Sequence, residues 1–395
     1  MKIKFSECVK YMVKGPFGSD MKKSLYVPKG EDTYKVYVQG NAIQKDENLG
    51  DYYIQSEYFH QKLKRFEVHP GDYIITCDGT LGKYIKLSEN IERGVISSSL
   101  LLLKLDEEVI YDKYFELLWD NSMLSYLASQ ARNACLVHLP SAKTIGEIII
   151  NLPELSVQRE MADKAFLIVN IIQQRNKELS MLDDLIKARF VEMFGAPNTN
   201  PKKWYECPLS KKLNVLGGYA FKSEQFDEKS GIPVLRIGNI NAGYFKPVNM
   251  VYWQKDESLE RYAMYPGDLV MSLTGTVGKD DYGNVCILDD DYEMYYLNQR
   301  NAKLEIKEGI DKYYLSQLLK FEQIKKRLTG ISRGVRQANI SNKDILNLVV
   351  PIPPLELQNQ FADFVRAVDK SKVEVQKALD ETQKLFDSLM QQYFG

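Results

Sequence analysis

Two stretches of the chain carry a long helical rhythm of apolar residues. From Met161, positions three and four apart read Met161, Ala165, Ile168, Ile172, Arg175, Leu179, Leu182, Ile186, Arg189 and Met193. Two hundred positions later, Phe361, Val365, Val368, Lys372, Val375, Leu379, Thr382, Phe386, Leu389 and Tyr393 keep the same register. Each set is a heptad stripe with two polar interruptions, the pattern of a coiled-coil seam. Neither run is broken by Pro or Gly. Pro153 and Pro353 precede them and Gly195 and Gly395 close them, as helix starts and caps do. The pattern predicts two helices of ~35–40 residues, each ~50–60 Å long. Two such helices in one chain should pair, and an antiparallel pair is the simplest closure.

The repetition reaches beyond the helices. His69-Pro70-Gly71-Asp72 matches Tyr265-Pro266-Gly267-Asp268, and Gly79-Thr80-Leu81-Gly82-Lys83 matches Gly275-Thr276-Val277-Gly278-Lys279. Gly40-Asn41 matches Gly238-Asn239, and Ser141-Ala142-Lys143 matches Ser341-Asn342-Lys343. An internal repeat decides the architecture, and this period is too long for a solenoid. Short β-rich runs at 73–76, 95–105, 269–273 and 284–288 are bounded by Gly-containing turns. Helical patterns follow at 112–130 and 311–328. The expected fold class is α+β. It comprises two pseudo-twofold-related globular domains separated by an antiparallel pair of long coiled-coil helices. The expected bounds are 1–150 for the first domain, 151–195 for the first helix, 196–350 for the second domain and 351–395 for the second helix.

Composition adds exclusions. The five cysteines are scattered without metal-ligand spacing, which fits reduced packing residues of a cytosolic protein. No apolar run approaches the ~20 residues a membrane span needs. The three histidines, His60, His69 and His138, are not at metal spacing, so no metal site is expected. The 79–83 and 275–279 stretches lack the spacing and hydroxyl of a phosphate loop and read as tight turns. No Asn/Asp-Pro-Pro-aromatic methyltransferase motif occurs, and no catalytic residue is expected. The formal net charge of -1 is unusual for a free-standing nucleic-acid binder and needs an explanation.

The motifs together carry a resemblance. Leu152-Pro153-Glu154-Leu155 with Gln158, and Ile352-Pro353-Pro354-Leu355 with Gln358, open the long helices. With the doubled Pro-Gly-Asp stretches and Arg336-Gln337-Ala338-Asn339-Ile340-Ser341, the chain resembles the DNA-specificity subunit of a type I restriction–modification enzyme. The resemblance implies two target recognition domains, each reading one half of a split, asymmetric site in double-stranded DNA. It implies helices that set the spacing and dock two methyltransferase subunits, with restriction subunits joining that core in the cytoplasm. S-adenosylmethionine, and ATP and Mg where restriction subunits are present, would then be bound by the partners. The near-neutral charge fits if those partners supply much of the phosphate clamp. The competing expectations are a coiled-coil scaffold without DNA specificity and a stand-alone DNA-modifying enzyme.

Arg, Lys, Asn, Gln and Thr in loops match base edges and phosphates. The candidates in the first domain are Lys22, Lys23, Gln39, Asn41, Thr80, Lys83, Arg132 and Asn133. Those in the second are Lys222, Arg236, Asn239, Asn241, Thr276, Lys279, Arg333, Arg336 and Gln337. Phe17 and Tyr219 to Phe221 are candidates for thymine-methyl contact or stacking. Asn41 and Asn239 have a second reading as turn residues. The seam interruptions Arg175, Arg189 and Lys372 would set register, pair with a partner's carboxylates, or snorkel to the surface.

Overall fold

Three small sheets are built in the same order in each half of the chain. The computed structural model describes residues 1–130, 138–276, 281–329 and 337–395. In the first half, a four-stranded antiparallel sheet runs Val9–Lys14, Leu100–Leu105, Tyr73–Thr76, Tyr84–Lys86. In the second half the order is Leu213–Gly217, Asn301–Ile306, Leu269–Ser272, Val285–Ile287. A second sheet in each half pairs two strands in parallel: Thr33–Tyr37 with Gly94–Ile96, and Ile232–Leu235 with Tyr295–Leu297. A two-stranded ribbon closes each half, Lys2–Lys4 with Ile149–Asn151 and Tyr205–Pro208 with Val349–Ile352. The α+β expectation is met twice.

The chain divides into two compact units, Met1–Gln174 with Leu379–Gly395, and Arg175–Ala378. Each long helix therefore contributes to both units. The helices run Leu155–Phe194 and Leu355–Phe394, 40 residues each. Gly195 leaves the first at φ 82°, a left-handed cap that glycine adopts without strain. All twenty seam positions predicted from the heptads are buried or half-buried. Within the second unit, Phe190 meets Phe361 edge-on at 5.4 Å and Asp183 pairs with Lys372 at 2.6 Å, so the helix segments there run antiparallel. Within the first unit, Phe386, Leu389, Tyr393 and Phe394 pack on the core that holds Ala162 and Ala165.

The polar seam positions resolve individually. Lys372 reaches Asp183, while Arg189 pairs with Glu192 at 2.8 Å and lies 5.8 Å from the Phe364 ring. The Nε of Arg175 is enclosed and has no hydrogen-bond partner among the described residues.

The repeated motifs turn out to be joints. Gln158 is fully buried; its Oε1 accepts the Tyr111 N–H at 2.9 Å. Its amide donates to the Val109 and Pro153 carbonyls at 3.0 and 2.9 Å. Gln358 does the same for the Asp311 N–H and the Pro353 carbonyl, at 2.8 and 2.7 Å. Each glutamine thus ties the start of a long helix to the loop that leads into the domain's own helix. That helix is Asp112–Leu118 in the first unit and Lys312–Lys320 in the second. The Pro-Gly-Asp stretches are turns: Gly71 and Gly267 sit at φ 75° and 88°, and the aspartate accepts the N–H three residues back. In both units the turn orients the central strand of the four-stranded sheet.

Candidate nucleic-acid interface

The central strand of each four-stranded sheet ends in a hairpin held by a buried hydroxyl. In the first unit the Thr76 Oγ1 accepts the Lys83 N–H at 3.0 Å and donates to the Thr80 carbonyl. The Gly82 N–H donates to the Thr76 carbonyl at 2.9 Å, and the Trp119 indole N–H donates to Gly82 at 2.9 Å. Gly79 and Gly82 take φ 65° and 74°, which this tight turn requires. The turn leaves Thr80 and Lys83 exposed. A neighbouring strand end completes the surface. The Leu139 N–H donates to the Cys77 carbonyl at 2.8 Å, and His138 Nδ1 lies 2.7 Å from an Asp78 carboxylate oxygen.

In the second unit Ser272 replaces Thr76. Its Oγ accepts the Asn284 N–H at 3.0 Å and its carbonyl accepts the Gly283 N–H at 2.9 Å. The structural counterparts of Gly82 and Lys83 are therefore Gly283 and Asn284. The sequence-based match of 79–83 to 275–279 is corrected: the second hairpin is five residues longer, and its Gly-Thr lies inside the extra length. That length forms the strand Thr274–Thr276, which pairs antiparallel with Gln337–Asn339. The Ile340 N–H donates to the Leu273 carbonyl at 2.8 Å, as Leu139 does to Cys77. Each unit thus joins its central hairpin to the chain just before a short helix, Ala142–Gly146 or Asn342–Asn347.

Two candidates are withdrawn from base reading. Asn41 is fully buried; its Oδ1 accepts the Val38 N–H at 2.8 Å and its amide donates to the Asp46 and Leu49 carbonyls, each at 2.9 Å. Asn239 repeats this with the Arg236 N–H at 2.9 Å and the Lys246 and Val248 carbonyls at 3.1 and 2.9 Å. Both amides are consumed inside the fold, so the turn reading holds. Arg236 is half-buried and donates to the Asn249 carbonyl, which ties it down locally. Asn241 is half-buried, with an enclosed Oδ1 that has no partner among the described residues. Gln39 is half-buried at the start of the helix Gln39–Gln44, while Lys22, Lys23 and Lys222 are exposed on or beside short helical turns. Phe17 is 77 % exposed, whereas Phe221 is buried in an aromatic cluster with Trp253 and Tyr296. Thr276 and Gln337 are opposite each other in the two-stranded pairing. Arg132, Asn133, Lys279, Arg333 and Arg336 lie outside the described residues.

The helix beneath the hairpin differs in charge between the units. In the first, Asp112 pairs with Lys86 at 2.7 Å, and Glu116 accepts the Tyr73 hydroxyl at 3.0 Å. Burial holds the Glu116 carboxyl above its usual range. Asp120 accepts the Tyr84 hydroxyl at 3.1 Å. The same three places in the second unit hold Lys312, Ser316 and Lys320. Sequence reasoning missed the Asp78–His138 pair, because its partners are 60 residues apart.

Residues 201–383 match the family described as "Type I restriction modification DNA specificity domain". The "Type I restriction enzyme MjaVIII specificity subunit" of Methanocaldococcus jannaschii is 26% identical over 386 residues, covering 87% of each chain. At that coverage the similarity extends into both halves of the chain. The chain is thus similar to type I specificity subunits, through the family match over residues 201–383 and through this relative. The EcoBI specificity subunit of Escherichia coli is 27% identical over 44% of this chain and 35% of its own length. Among solved structures, the S subunit of a type I restriction-modification system from M. genitalium shares the fold, with TM-score 0.55 and 14% identity. It covers 100% of this chain and 96% of that one. A structure titled for complex assembly and conformational transition of the type I R-M system gives TM-score 0.56 at 14% identity, covering 100% and 97%.

Proposed function

We propose that this chain is the specificity subunit of a type I restriction–modification complex, and that each of its units reads one half of a split, asymmetric sequence in double-stranded DNA. In this reading the long helices set the spacing of the half-sites and dock two methyltransferase subunits. The chain itself performs no catalysis. S-adenosylmethionine, and ATP and Mg where restriction subunits join, are bound by those partners. The observation that carries the reading is one frame built twice with unlike hairpins: a tight turn beside Asp78 and His138, and a longer one whose strand Thr274–Thr276 pairs with Gln337–Asn339. A single groove-reading module covers only a few base pairs, so two unlike modules in one chain suit an asymmetric site.

The test is co-expression with its methyltransferase subunit, followed by single-molecule sequencing of host DNA methylation. The expected result is a new split motif modified in both halves. A stable complex with no new methylation would leave a scaffold without specificity. Failure to form a complex would overturn the docking role.

A further inference from the structure

We propose that the ribbon formed by Thr274–Thr276 and Gln337–Asn339 is the element with which the second unit reads base edges in the major groove, and that Asn339 contacts an adenine. The proposal rests on the DNA-reading function above and names the residues that carry it. The pairing sets Thr274 opposite Asn339, Gly275 opposite Ala338, and Thr276 opposite Gln337. Directly opposed residues of an antiparallel pair share a face, and successive residues alternate faces. One face therefore holds positions 274, 276, 337 and 339, all hydrogen-bonding residue types. The other holds only Gly275 and Ala338.

The packing decides which face looks outward. A Cβ on Gly275 would fall 2.4 Å from an Asp281 carboxylate oxygen and 2.6 Å from the Tyr282 Cβ. Gly275 is therefore pressed against the return arm of its own hairpin, and Asn339 on the opposite face is exposed. The base of the ribbon is fixed by the Ile340 to Leu273 hydrogen bond at 2.8 Å and by the Tyr282 hydroxyl on the Thr329 carbonyl at 3.1 Å.

Charge separates base reading from phosphate binding. Neither strand contains an ionisable residue, so the ribbon offers directional hydrogen bonds and no electrostatic grip. The major groove admits a two-stranded ribbon, and an Asn amide matches the N6 and N7 edge of adenine. Among the described residues of the first unit, a single bridge, Asp78 with His138, stands at that place.

The experiment uses the co-expressed methyltransferase complex with N339A and the isosteric N339D. Methylation sequencing and binding to the cognate duplex are measured for each, with thermal unfolding as the control for fold. For N339A and N339D, the second half-site should become degenerate or altered at one adenine·thymine position while the first half-site is unchanged. Affinity should fall about ten-fold to a hundred-fold, and for the uncharged N339A the dependence on salt should be unchanged because no phosphate contact is lost. Either Asn339 variant, if folded and methylating the wild-type motif with wild-type affinity, overturns the proposal. A wild-type complex that methylates no split motif overturns the underlying function instead. The N339D arm keeps the test decisive if N339A unfolds.

Discussion

Between Thr76 and Gly82 the first unit uses five residues; between Ser272 and Gly283 the second uses ten. Yet the hydroxyl-to-amide bond that starts each hairpin measures 3.0 Å in both, and the carbonyl-to-glycine bond 2.9 Å in both. The frame is held by backbone groups and one short polar side chain, so what is inserted beyond it does not load the fold. A surface meant to vary is attached where the frame does not depend on it, as functional loops on rigid scaffolds are. The helix beneath, with the turn Trp119–Met123 that continues it in the first unit, obeys the same logic, carrying Asp112, Glu116 and Asp120 in one unit and Lys312, Ser316 and Lys320 in the other. If this comparison is right, substitutions in the frame should cost both units alike, and substitutions outside it should not.

The largest effect should come from Gly15 and Gly218. A Cβ on Gly15 would lie 2.1 Å from the Ser97 carbonyl oxygen, and one on Gly218 2.2 Å from that of Asn298. Both collisions are with backbone, which cannot swing aside. Gly15→Ala and Gly218→Ala are each expected to destabilise the host unit by about 3 kcal/mol or more. Hydrogen exchange resolved by unit would show it. A large loss in one unit and none in the other would break the equivalence of the frames.

The joint glutamines sharpen the comparison, because they are equivalent but not equal. Gln158 makes three hydrogen bonds and Gln358 two, all to backbone groups. Gln158→Ala should cost about 3 kcal/mol and Gln358→Ala about 2 kcal/mol, since a buried group left unpaired costs ~1–3 kcal/mol. Urea unfolding of each variant measures the difference. Equal losses would mean that the Val109 carbonyl is satisfied without the glutamine.

How much of this was legible follows from how local each signal is. The heptad seam depends only on residues three and four apart, and all twenty of its positions are buried or half-buried. The strand Tyr73–Thr76 and both 40-residue helices lie where their patterns put them. Asn41 and Asn239 misled as base readers because residue type suggests a base edge, while their burial arises from a tertiary fold around the side chain. The hairpins misled because both contain Gly-Thr-x-Gly-Lys, and only the hydrogen bonds of Thr76 and Ser272 show that the copies are not equivalent. The ribbon face was partly visible as the polar-small-polar run Gln337-Ala338-Asn339, but its partner strand was not.

The smallest expected effect tests the Pro-Gly-Asp turn, where the frame is conserved and its charge is not. Asp268 pairs with Lys303 at 2.7 Å, both side chains largely buried. Asp72 is fully buried and takes the Tyr11 hydroxyl at 2.6 and 2.7 Å together with the His69 N–H at 2.8 Å. Asp268→Asn removes a charge partner and should cost about 1 kcal/mol at neutral pH. Asp72→Asn keeps an oxygen for the tyrosine and the amide, and should change stability by less than about 1 kcal/mol. Burial raises the Asp72 carboxyl above its ordinary value. A folded-state pKa above the unfolded one contributes stability that is fully present below the unfolded value, and that is lost as pH rises through the folded value. The wild-type protein therefore carries the penalty of ionised Asp72 at neutral pH and sheds it on acidification. Relative to wild type, Asp72→Asn should look best at pH 7 and progressively worse toward pH 4. Urea unfolding of the pair across that range reads the trend, and a difference that grows in the opposite direction would show that hydrogen bonds to the carboxylate outweigh its burial.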